Sequence, residues 1–381
     1  MSDYFERVER QLVRVVETSA KRRVSWPGRL AALAAAAVVV AVVAVFLGVR
    51  GRAPSIQTTG PASVAFTATG SSVELDRVTS ILRLRLGAIY GGVHVTRTGN
   101  EIVAAADGAS RGQIEALAAP GHLALYDWEA RVLAPDGKTV ASQLAAQNPA
   151  ALAISQGVGG TSAGGADAGG MTLHRAVLLA SRHGGGPPAQ YYMFGARTEG
   201  HALLAGPTST LSQLRSELPA GAHGEELVVP RGLVVLQAAA PSFGRAPARS
   251  AAAARFFVLR DSPALSQSGV TDPRPGHSES GQPNVQFGFT SVGAGAFRAV
   301  TAEVARRGAA VSRSGLTLNQ HFAIALDGRL VTVPSIDFKA YPEGVSAGQG
   351  ADVEAGFTPR SARAFATVLR YGPLPVSLQP R

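Results

Sequence analysis

Twenty consecutive residues without a charge, from Leu30 to Val49, constrain this chain more than any other feature. The segment consists of three Leu, seven Val, one Phe, eight Ala and one Gly. Its length matches the roughly 20 residues that an α-helix needs to cross a bilayer, whereas the apolar core of a signal peptide spans only about 7 to 15 residues. The Leu, Val and Phe side chains favour membrane insertion by roughly 3 to 6 kcal/mol in total. The sequence therefore predicts a transmembrane helix within residues 25–50.

The charges that flank this segment predict its orientation. Four basic residues precede it and two follow it directly: Lys21, Arg22, Arg23 and Arg29, then Arg50 and Arg52. Because positive charge favours the cytoplasmic side, we expect a single-pass anchor in the plasma membrane with a cytoplasmic N-terminus and an extracytoplasmic bulk. Apolar residues at helical spacing over 4–16 also predict an amphipathic helix in the cytoplasmic segment 1–24.

The composition of the whole chain is typical of folded domains. Hydrophobic residues make up 46% of the 381 residues and charged residues only 16%, which is enough apolar material for two compact domains. The net charge of +10 is spread along the chain rather than clustered. A solvated basic surface near anionic lipid explains this balance, and we predict no nucleic-acid binding.

Residue patterns associated with catalysis are weak. Eight His occur without the spacing of a metal motif, and the absence of Cys excludes thiolate ligands. Two stretches fit G-x-S-x-G, at 160–164 and 344–348, but neither is predicted to join a strand to a helix as a nucleophile elbow requires. No phosphate-binding loop or cofactor fingerprint occurs. We therefore predict no enzyme activity, no metal site and no cofactor.

After a linker at 51–61, the pattern over 62–128 predicts the order strand, helix, strand, strand, helix, strand. Gly99-Asn100 separates the second and third strands as a two-residue hairpin turn, and Ser110 and Gln113 have the spacing of a capping box before the second helix. The last strand is expected at 122–128. This order indicates a ferredoxin-like α+β unit in which four strands bury two helices on one face.

The signal weakens over 129–252, a variable region with Gly-rich linkers at 157–170 and 183–188. The remaining patterns predict four elements. They are a short helix over 171–183, a strand at 191–194, a helix at 208–218, and a hairpin over 226–237 that turns at 230–232.

Residues 284–375 carry the clearest start and stop signals. Asp327-Gly328 lies between two alternating apolar runs and predicts a tight hairpin. Thr358-Pro359 predicts a helix start with a capping hydroxyl, and the segment 372–375, GPLP, predicts its end. A strand over 285–289 and a helix over 295–307, stopped by Gly308, are also expected. These elements predict a second α+β domain over 253–376, followed by a tail at 377–381.

These ordered motifs resemble the first periplasmic domain of the SecD family. AIALDGRLVTVPSI, then a loop and AGFTPRSARAFATVLRYGPLP, are similar to the family's head, in which an LDG hairpin leads to a proline-terminated strand, a GxFT helix start and a closing LRxGxLP. Residues 256–276 are similar to the lead-in of the head, and 73–126 to the family's ferredoxin-like base. The resemblance implies mostly structural roles for the matching positions Asp327, Gly328, Pro334, Gly356, Phe357, Thr358, Arg370, Gly372, Leu374 and Pro375.

The resemblance implies a membrane-anchored accessory protein of preprotein translocation. Its implied partners are the plasma membrane, the Sec translocon, a SecF-like subunit or unfolded preprotein. In the family, further membrane helices follow the closing motif and form a proton-coupled half. The present sequence ends at Arg381, so we expect a form without that half.

For binding of emerging polypeptide, we predict the strand and hairpin surfaces around Phe287, Phe289, His321 and Phe322. Exposed aromatic patches and free strand edges recognise extended chains without sequence specificity. The alternative is that these side chains belong to the core. A second hypothesis for function is a structural or signalling module that reuses the SecD ectodomain fold and docks partners through the helix at 4–16, since fold does not establish function.

Overall fold

The computed structural model describes residues 62–146, 170–238, 255–312 and 317–381, which form a mixed α/β structure. The predicted transmembrane helix, the cytoplasmic helix, the linker at 51–61 and most of the glycine tract at 157–170 lie outside the described residues. None of the helices within the described ranges is long and apolar enough to cross a membrane.

The first sheet, with the two helices that cover it, is called the base. Its strands are β1 (Ala62–Thr67), β2 (His94–Thr98), β3 (Glu101–Ala106) and β17 (Gln379–Pro380), antiparallel in the order β17-β1-β3-β2. Helices α1 (Ser72–Gly87) and α2 (Arg111–Leu117) bury apolar side chains, among them Leu82 and Ile114, against this sheet. A capping box starts α1, because the Ser71 N–H donates to Glu74 Oε2 at 2.8 Å and the Glu74 N–H donates to Ser71 Oγ at 3.3 Å.

The predicted last strand of the base pairs elsewhere. Strand β4 (Leu123–Asp127) is antiparallel to β13 (Gln320–Leu326), and the edge beside β1 is taken by β17 from the predicted tail. Both faces of β4 are buried, since Leu125 lies in one core and Tyr126 in another. A strand with two buried faces requires apolar layers on both sides of its sheet. The alternating pattern therefore predicted the strand correctly, but not its partner.

Strand β4 belongs to the largest sheet, which has the order β10-β4-β13-β14-β8-β9 with β15 paired to β13. The remaining strands of this sheet are β8 (Leu233–Ala238), β9 (Arg255–Arg260), β10 (Leu265–Ser266), β14 (Arg329–Thr332) and β15 (Ser335–Ile336). One face packs in a core with Phe322 and Ile324, and the opposite face packs Ala323 against Trp128 and Phe257. Short helices α3 (Trp128–Arg131) and α4 (Val140–Ala145) contribute to the second core.

A three-stranded sheet in the order β11-β12-β16 lies against the first core. It consists of β11 (Val270–His277), β12 (Pro283–Phe289) and β16 (Ala351–Val353), and it packs with helices α7 (Ser291–Val311) and α8 (Pro359–Tyr371). Together with the largest sheet, these elements are called the head. Thr358 caps α8 as predicted, with its Oγ1 accepting from the Ser361 N–H at 3.1 Å. Gly308 does not stop α7, contrary to the prediction, but lies within it where a Cβ would come 3.1 Å from the Phe338 ring.

The second three-stranded sheet, with its helices, is called the insert. Its strands β5 (Pro188–Phe194), β6 (Leu203–Thr208) and β7 (Glu225–Pro230) have the order β6-β5-β7, and its helices are α5 (Leu173–His183) and α6 (Leu211–Glu217). The helices predicted at 171–183 and 208–218 are confirmed. The hairpin predicted over 226–237 is wrong, because β7 pairs with β5 while β8 pairs with β9 and β14. The turn at Gly232, with φ 86°, carries the chain from one sheet to the other.

Candidate functional site

The turn Asp327-Gly328 is the point where the base is tied to the head. Both residues have positive φ, 50° and 74°, and they connect β13 to β14 in the predicted tight hairpin. The Asp327 carboxylate accepts from the backbone N–H of Gly121 at 2.8 Å and of His122 at 2.7 Å, where the chain passes from the base to β4. The carbonyl of Gly328 accepts from the N–H of Gln237 in β8 at 2.8 Å. We call this region the joint.

Arg85 of α1 is the central side chain of the joint, and its fractional exposure is 0%. Its guanidinium donates at 2.5 to 3.1 Å to four backbone carbonyls, those of Leu117, Ala119, Pro120 and Gly372. Burial lowers the pKa of Arg85 to about 10, and the negative charge of Asp327 partly counters that effect. The side chain therefore stays charged at neutral pH. It links α1 to the end of α2, to the crossover, which is the segment of residues 118–122 between α2 and β4, and to the end of α8.

Helix α8 belongs to two hydrophobic cores at once. Phe365 and Leu369 lie in the core of the head, whereas Val368 lies in the core of the base. Beyond the helix, Leu374 is also buried in the base, and its N–H donates to the Pro120 carbonyl at 2.8 Å. Separating base from head would expose one apolar face of α8 to water, which is unfavourable in proportion to the area uncovered.

The other signature positions make internal contacts. The carbonyl of Pro334 accepts from the Phe322 N–H at 3.0 Å, and Phe357 packs on Phe365 with ring centroids 5.3 Å apart. Arg370 donates to the carbonyl of Pro273 at 3.3 Å. Gly356 has a φ of 63° in the turn before the helix cap, and Pro375 is exposed. The conspicuous motif residues thus build the joint and the helix ends, not a binding surface.

Two of the aromatic residues predicted to bind polypeptide are buried, so the prediction is wrong for them. Phe287 is 4% exposed and Phe322 is 5% exposed, both within the core of the head. Phe289 is half-buried and stacks on Phe297 with centroids 4.8 Å apart. Alternation placed Phe287 and Phe289 on one face of β12, but that face packs inward against α7.

His321 is held in a buried ionic cluster and is also unavailable to a passing chain. Its Nδ1 lies 2.7 Å from Oε1 of Glu129, whose side chain is fully buried. Beside them, Arg307 of α7 pairs with Asp127 through both terminal nitrogens. Burial raises the pKa of Asp127, although Arg307 lowers it. The cluster ties α7 to β4 and β13 inside the head.

The outer strand β11 is a poor template for strand addition. Pro273 and Pro275 provide no N–H, and the pairing register with β12 shifts between Thr271 and Arg274, where Asp272 has a φ of 46°. Prolines and bulges are common devices that block edge pairing. The predicted recognition through free strand edges therefore finds no support at β11.

The most exposed large hydrophobic side chain in the described ranges is Val292, at 81%. It lies in the first turn of α7, directly after the half-buried Phe289, with Ala296 one turn later. We call Val292, Phe289 and Ala296 the head patch. Sequence reasoning missed Val292, because an isolated valine at a helix start has no distinguishing pattern.

Arg85 was also missed, although the sequence contained a usable signal. Leu75, Val78 and Leu82 form the apolar stripe of α1, and Arg85 follows three residues later on the same face. A charged residue at a core position of a helix must find buried partners. The carbonyls that satisfy it come from positions up to 287 residues away, which no local pattern indicates.

Comparisons with known proteins agree with the family resemblance of the head. Residues 245–376 match the family described as SecDF, P1 head subdomain. No curated protein matches the chain.

Solved structures of SecDF cover most of the chain at low identity. SecDF in a super-membrane-facing form is 18% identical over 84% of this chain and 30% of that chain, with a TM-score of 0.40. A structure described as a membrane component SecDF that enhances protein export is 18% identical over 84% of this chain and 97% of that chain, with a TM-score of 0.39. SecDF from Thermus thermophilus, described as translocon-associated, is 17% identical over 84% and 30%, with a TM-score of 0.26. The present chain thus spans about 30% of two of these chains.

Proposed function

We propose that the chain is a SecD-related protein that acts in protein export at the outer face of the plasma membrane, because residues 245–376 match the SecDF P1 head subdomain. The match of the head is the observation that carries the proposal. Among the similar proteins, one SecDF is described as enhancing protein export and another as translocon-associated. The proposed role is binding rather than catalysis, with the translocon, a SecF-like subunit or exported polypeptide as partners.

The arrangement of base and head supports this role. Strand β1 begins at Ala62, so the linker of residues 51–61 spans at most about 40 Å from the proposed anchor. The base is therefore kept near the membrane. The head is attached to it through α8 and the joint, which hold the head at a defined place relative to the base.

The head patch is the proposed contact for exported polypeptide. Val292 presents apolar surface to solvent, with the partly buried Phe289 three residues before it and Ala296 one helical turn after it. Apolar surface without directional hydrogen bonding accepts many different unfolded sequences. The head patch replaces the binding surface predicted around Phe287, His321 and Phe322, because those side chains lie inside the head.

A matched pair of crosslinking positions tests this proposal. Val292 in the head and Val73 in the base are each the second residue of a helix that begins with Ser, and they are 81% and 78% exposed. We would place a photoreactive amino acid at each position in the full chain and arrest a secretory protein during export. Crosslinks to the arrested chain are expected from position 292 and not from position 73.

Equal crosslinking at both positions, or none at position 292, would contradict the proposed binding surface. The export role itself is tested by deleting the whole protein, which should slow maturation of secreted proteins. Deleting residues 2–20 should leave that export activity intact, because the proposed work is extracytoplasmic. Loss of activity in that deletion would favour the signalling alternative.

A further inference from the structure

Two histidines and a glutamate from separate elements of the insert meet at one point. His174 is the second residue of α5, His201 follows the turn between β5 and β6, and Glu225 begins β7. One ligating atom from each residue lies within 4.8 Å of the other two. His174 Nε2 is 2.8 Å from Glu225 Oε2, and His201 Nδ1 is 3.9 Å from the same oxygen.

The His201 ring has an unused ligating atom. Its Nδ1 is buried and has no hydrogen-bond partner in the described part of the chain, which is unusual because buried polar atoms are almost always paired. The residue also has a φ of 53°, in the left-handed region that His adopts more readily than most residues other than Gly. In the described part of the chain, no hydrogen bond to His201 Nδ1 would compete with a ligand.

Ring contacts hold the His174 imidazole and bring the His201 imidazole beside it. The His174 ring packs edge-on against Phe194 at a centroid distance of 5.0 Å and stacks on the His201 ring at 3.8 Å. Phe194 is 1% exposed and pairs with Glu225 across β5 and β7. An apolar floor of this kind shields one side of the three polar groups, while the opposite side stays open, since the Glu225 side chain is 44% exposed.

We propose that His174, His201 and Glu225 bind a divalent transition-metal ion of the Zn²⁺ class, with water as a fourth ligand. Two imidazole nitrogens and one carboxylate oxygen form a donor set that Zn²⁺ favours, and three protein ligands leave one position for solvent. Bond lengths of about 2.0 to 2.2 Å place tetrahedral ligand atoms about 3.3 Å apart, so ligand atoms separated by up to 4.8 Å must approach one another by up to about 1.5 Å. The His201 ring must also rotate out of the stack to aim Nδ1 at the ion.

Such an ion would link three elements of the insert. It would join α5, the turn between β5 and β6, and β7, and thereby stabilise this part of the fold when bound. The expectation of no metal site came from sequence spacing, since the ligands are separated by 27 and 24 residues and match no motif. The metal site in the insert is independent of the proposed export role.

Metal titration of the purified full chain in detergent tests the site. The protein should carry an affinity tag without histidine and be stripped with a chelator beforehand. Zn²⁺ affinity is measured by competition with a chromophoric chelator, and Co²⁺ is added separately to record its visible absorption bands. Because the chain contains no Cys, these bands report nitrogen and oxygen ligands. One ion per chain is expected, with a rise in unfolding temperature on Zn²⁺ addition.

Three variants separate the site from other histidines. His201→Gly removes a ligand and suits the positive φ, so it should fold without added strain, and Glu225→Gln keeps the size of the third ligand. Both should bind Zn²⁺ at least tenfold more weakly and show no Zn²⁺-dependent rise in unfolding temperature. The control is His223→Ala, an exposed histidine two residues from Glu225, which should bind like the unaltered chain. The proposal is overturned if the unaltered chain binds less than one ion, or if His201→Gly binds as His223→Ala does.

Discussion

Replacing Arg85 by Met should separate the base from the head energetically while leaving helix α1 well packed. Met keeps the unbranched apolar stem of the side chain and removes the guanidinium. Three of the four carbonyls that Arg85 bonds would lose that partner, since only the Pro120 carbonyl also accepts from Leu374, and of these three the Leu117 carbonyl is fully buried while those of Ala119 and Gly372 are partly buried. The carboxylate of Asp327 would lose its nearby positive charge.

The expected cost is large for a single side chain. A hydrogen bond to a charged donor contributes about 1.5 to 3 kcal/mol, and Arg85 donates four such bonds to backbone carbonyls. These contributions overlap, because the same guanidinium supplies all of them. We therefore expect the free energy of unfolding to fall by about 4 kcal/mol, a large part of the 5 to 15 kcal/mol typical of folded proteins.

Urea unfolding of the full chain in detergent measures this cost. Far-ultraviolet circular dichroism follows the base and head together, while fluorescence of the buried Trp128, recorded in a Trp26→Phe background because the chain contains two Trp, follows the head. With a slope of about 3 kcal/mol per molar urea, the midpoint should fall by roughly 1 M. In a double-mutant cycle, Asp327→Asn should cost less in the Arg85→Met background than in the unaltered chain.

Arg83→Met is the matched control for this experiment. Arg83 lies two residues earlier on the same helix and makes one hydrogen bond, from Nη2 to the Val95 carbonyl at 2.8 Å. Because Arg83 is exposed, water can replace its bond to the carbonyl, and its removal should cost less than about 1 kcal/mol. If Arg85→Met were no more destabilising than Arg83→Met, the joint would not be what holds base and head together.

Two further predictions concern the head. Arg307→Met should lower the free energy of unfolding by about 3 to 5 kcal/mol at pH 7. The carboxylates of Asp127 and Glu129 would remain buried without the guanidinium that lies beside both of them. Burial already raises the pKa of Asp127 above its value in the unfolded chain. The folded state therefore binds this proton more tightly than the unfolded state does, and the free energy of unfolding rises as the pH falls through the raised pKa. The deficit of the variant should therefore shrink between pH 7 and pH 5 in urea titrations, and a deficit that is constant or larger at pH 5 would contradict this reasoning. Phe322→Ala should cost about 3 to 5 kcal/mol as a core truncation, whereas Val292→Ala should change the unfolding free energy by less than about 0.5 kcal/mol. Equal thermal shifts for the two variants would show that Phe322 is not part of the core.

Local structure was largely predictable because its signals are short. The cap at Thr358, the turn at Asp327-Gly328 and the hairpin at Gly99-Asn100 each depend on φ angles or hydrogen bonds within four residues. The resemblance of the C-terminal block to the SecD head likewise rests on such local motifs, and the family match at 245–376 agrees with it. The order and type of most described helices and strands follow from these signals and from apolar periodicity.

Strand partners were not predictable from the same signals. Alternation of apolar residues places side chains on faces but carries no information about the neighbouring strand. Leu123–Asp127 therefore pairs with β13 instead of β1, and the two-residue strand Gln379–Pro380 takes the position beside β1. For the same reason, the sequence pattern at Phe287 and Phe322 is compatible with either a surface or a core position. The packing of the two sheets and α7 places both side chains in the core of the head.

Helix caps, tight turns and the head motifs follow from residues a few positions apart, so they can be predicted without a structure. Their contacts with the rest of the protein depend on the packing of distant segments. Asp327 reaches the crossover at Gly121, Arg85 reaches the carbonyl at Gly372, and both contacts join residues more than 200 positions apart. The convergence of His174, His201 and Glu225 has the same origin. Contacts of this kind depend on how whole sheets and helices pack, and that packing depends on apolar burial summed over the entire chain.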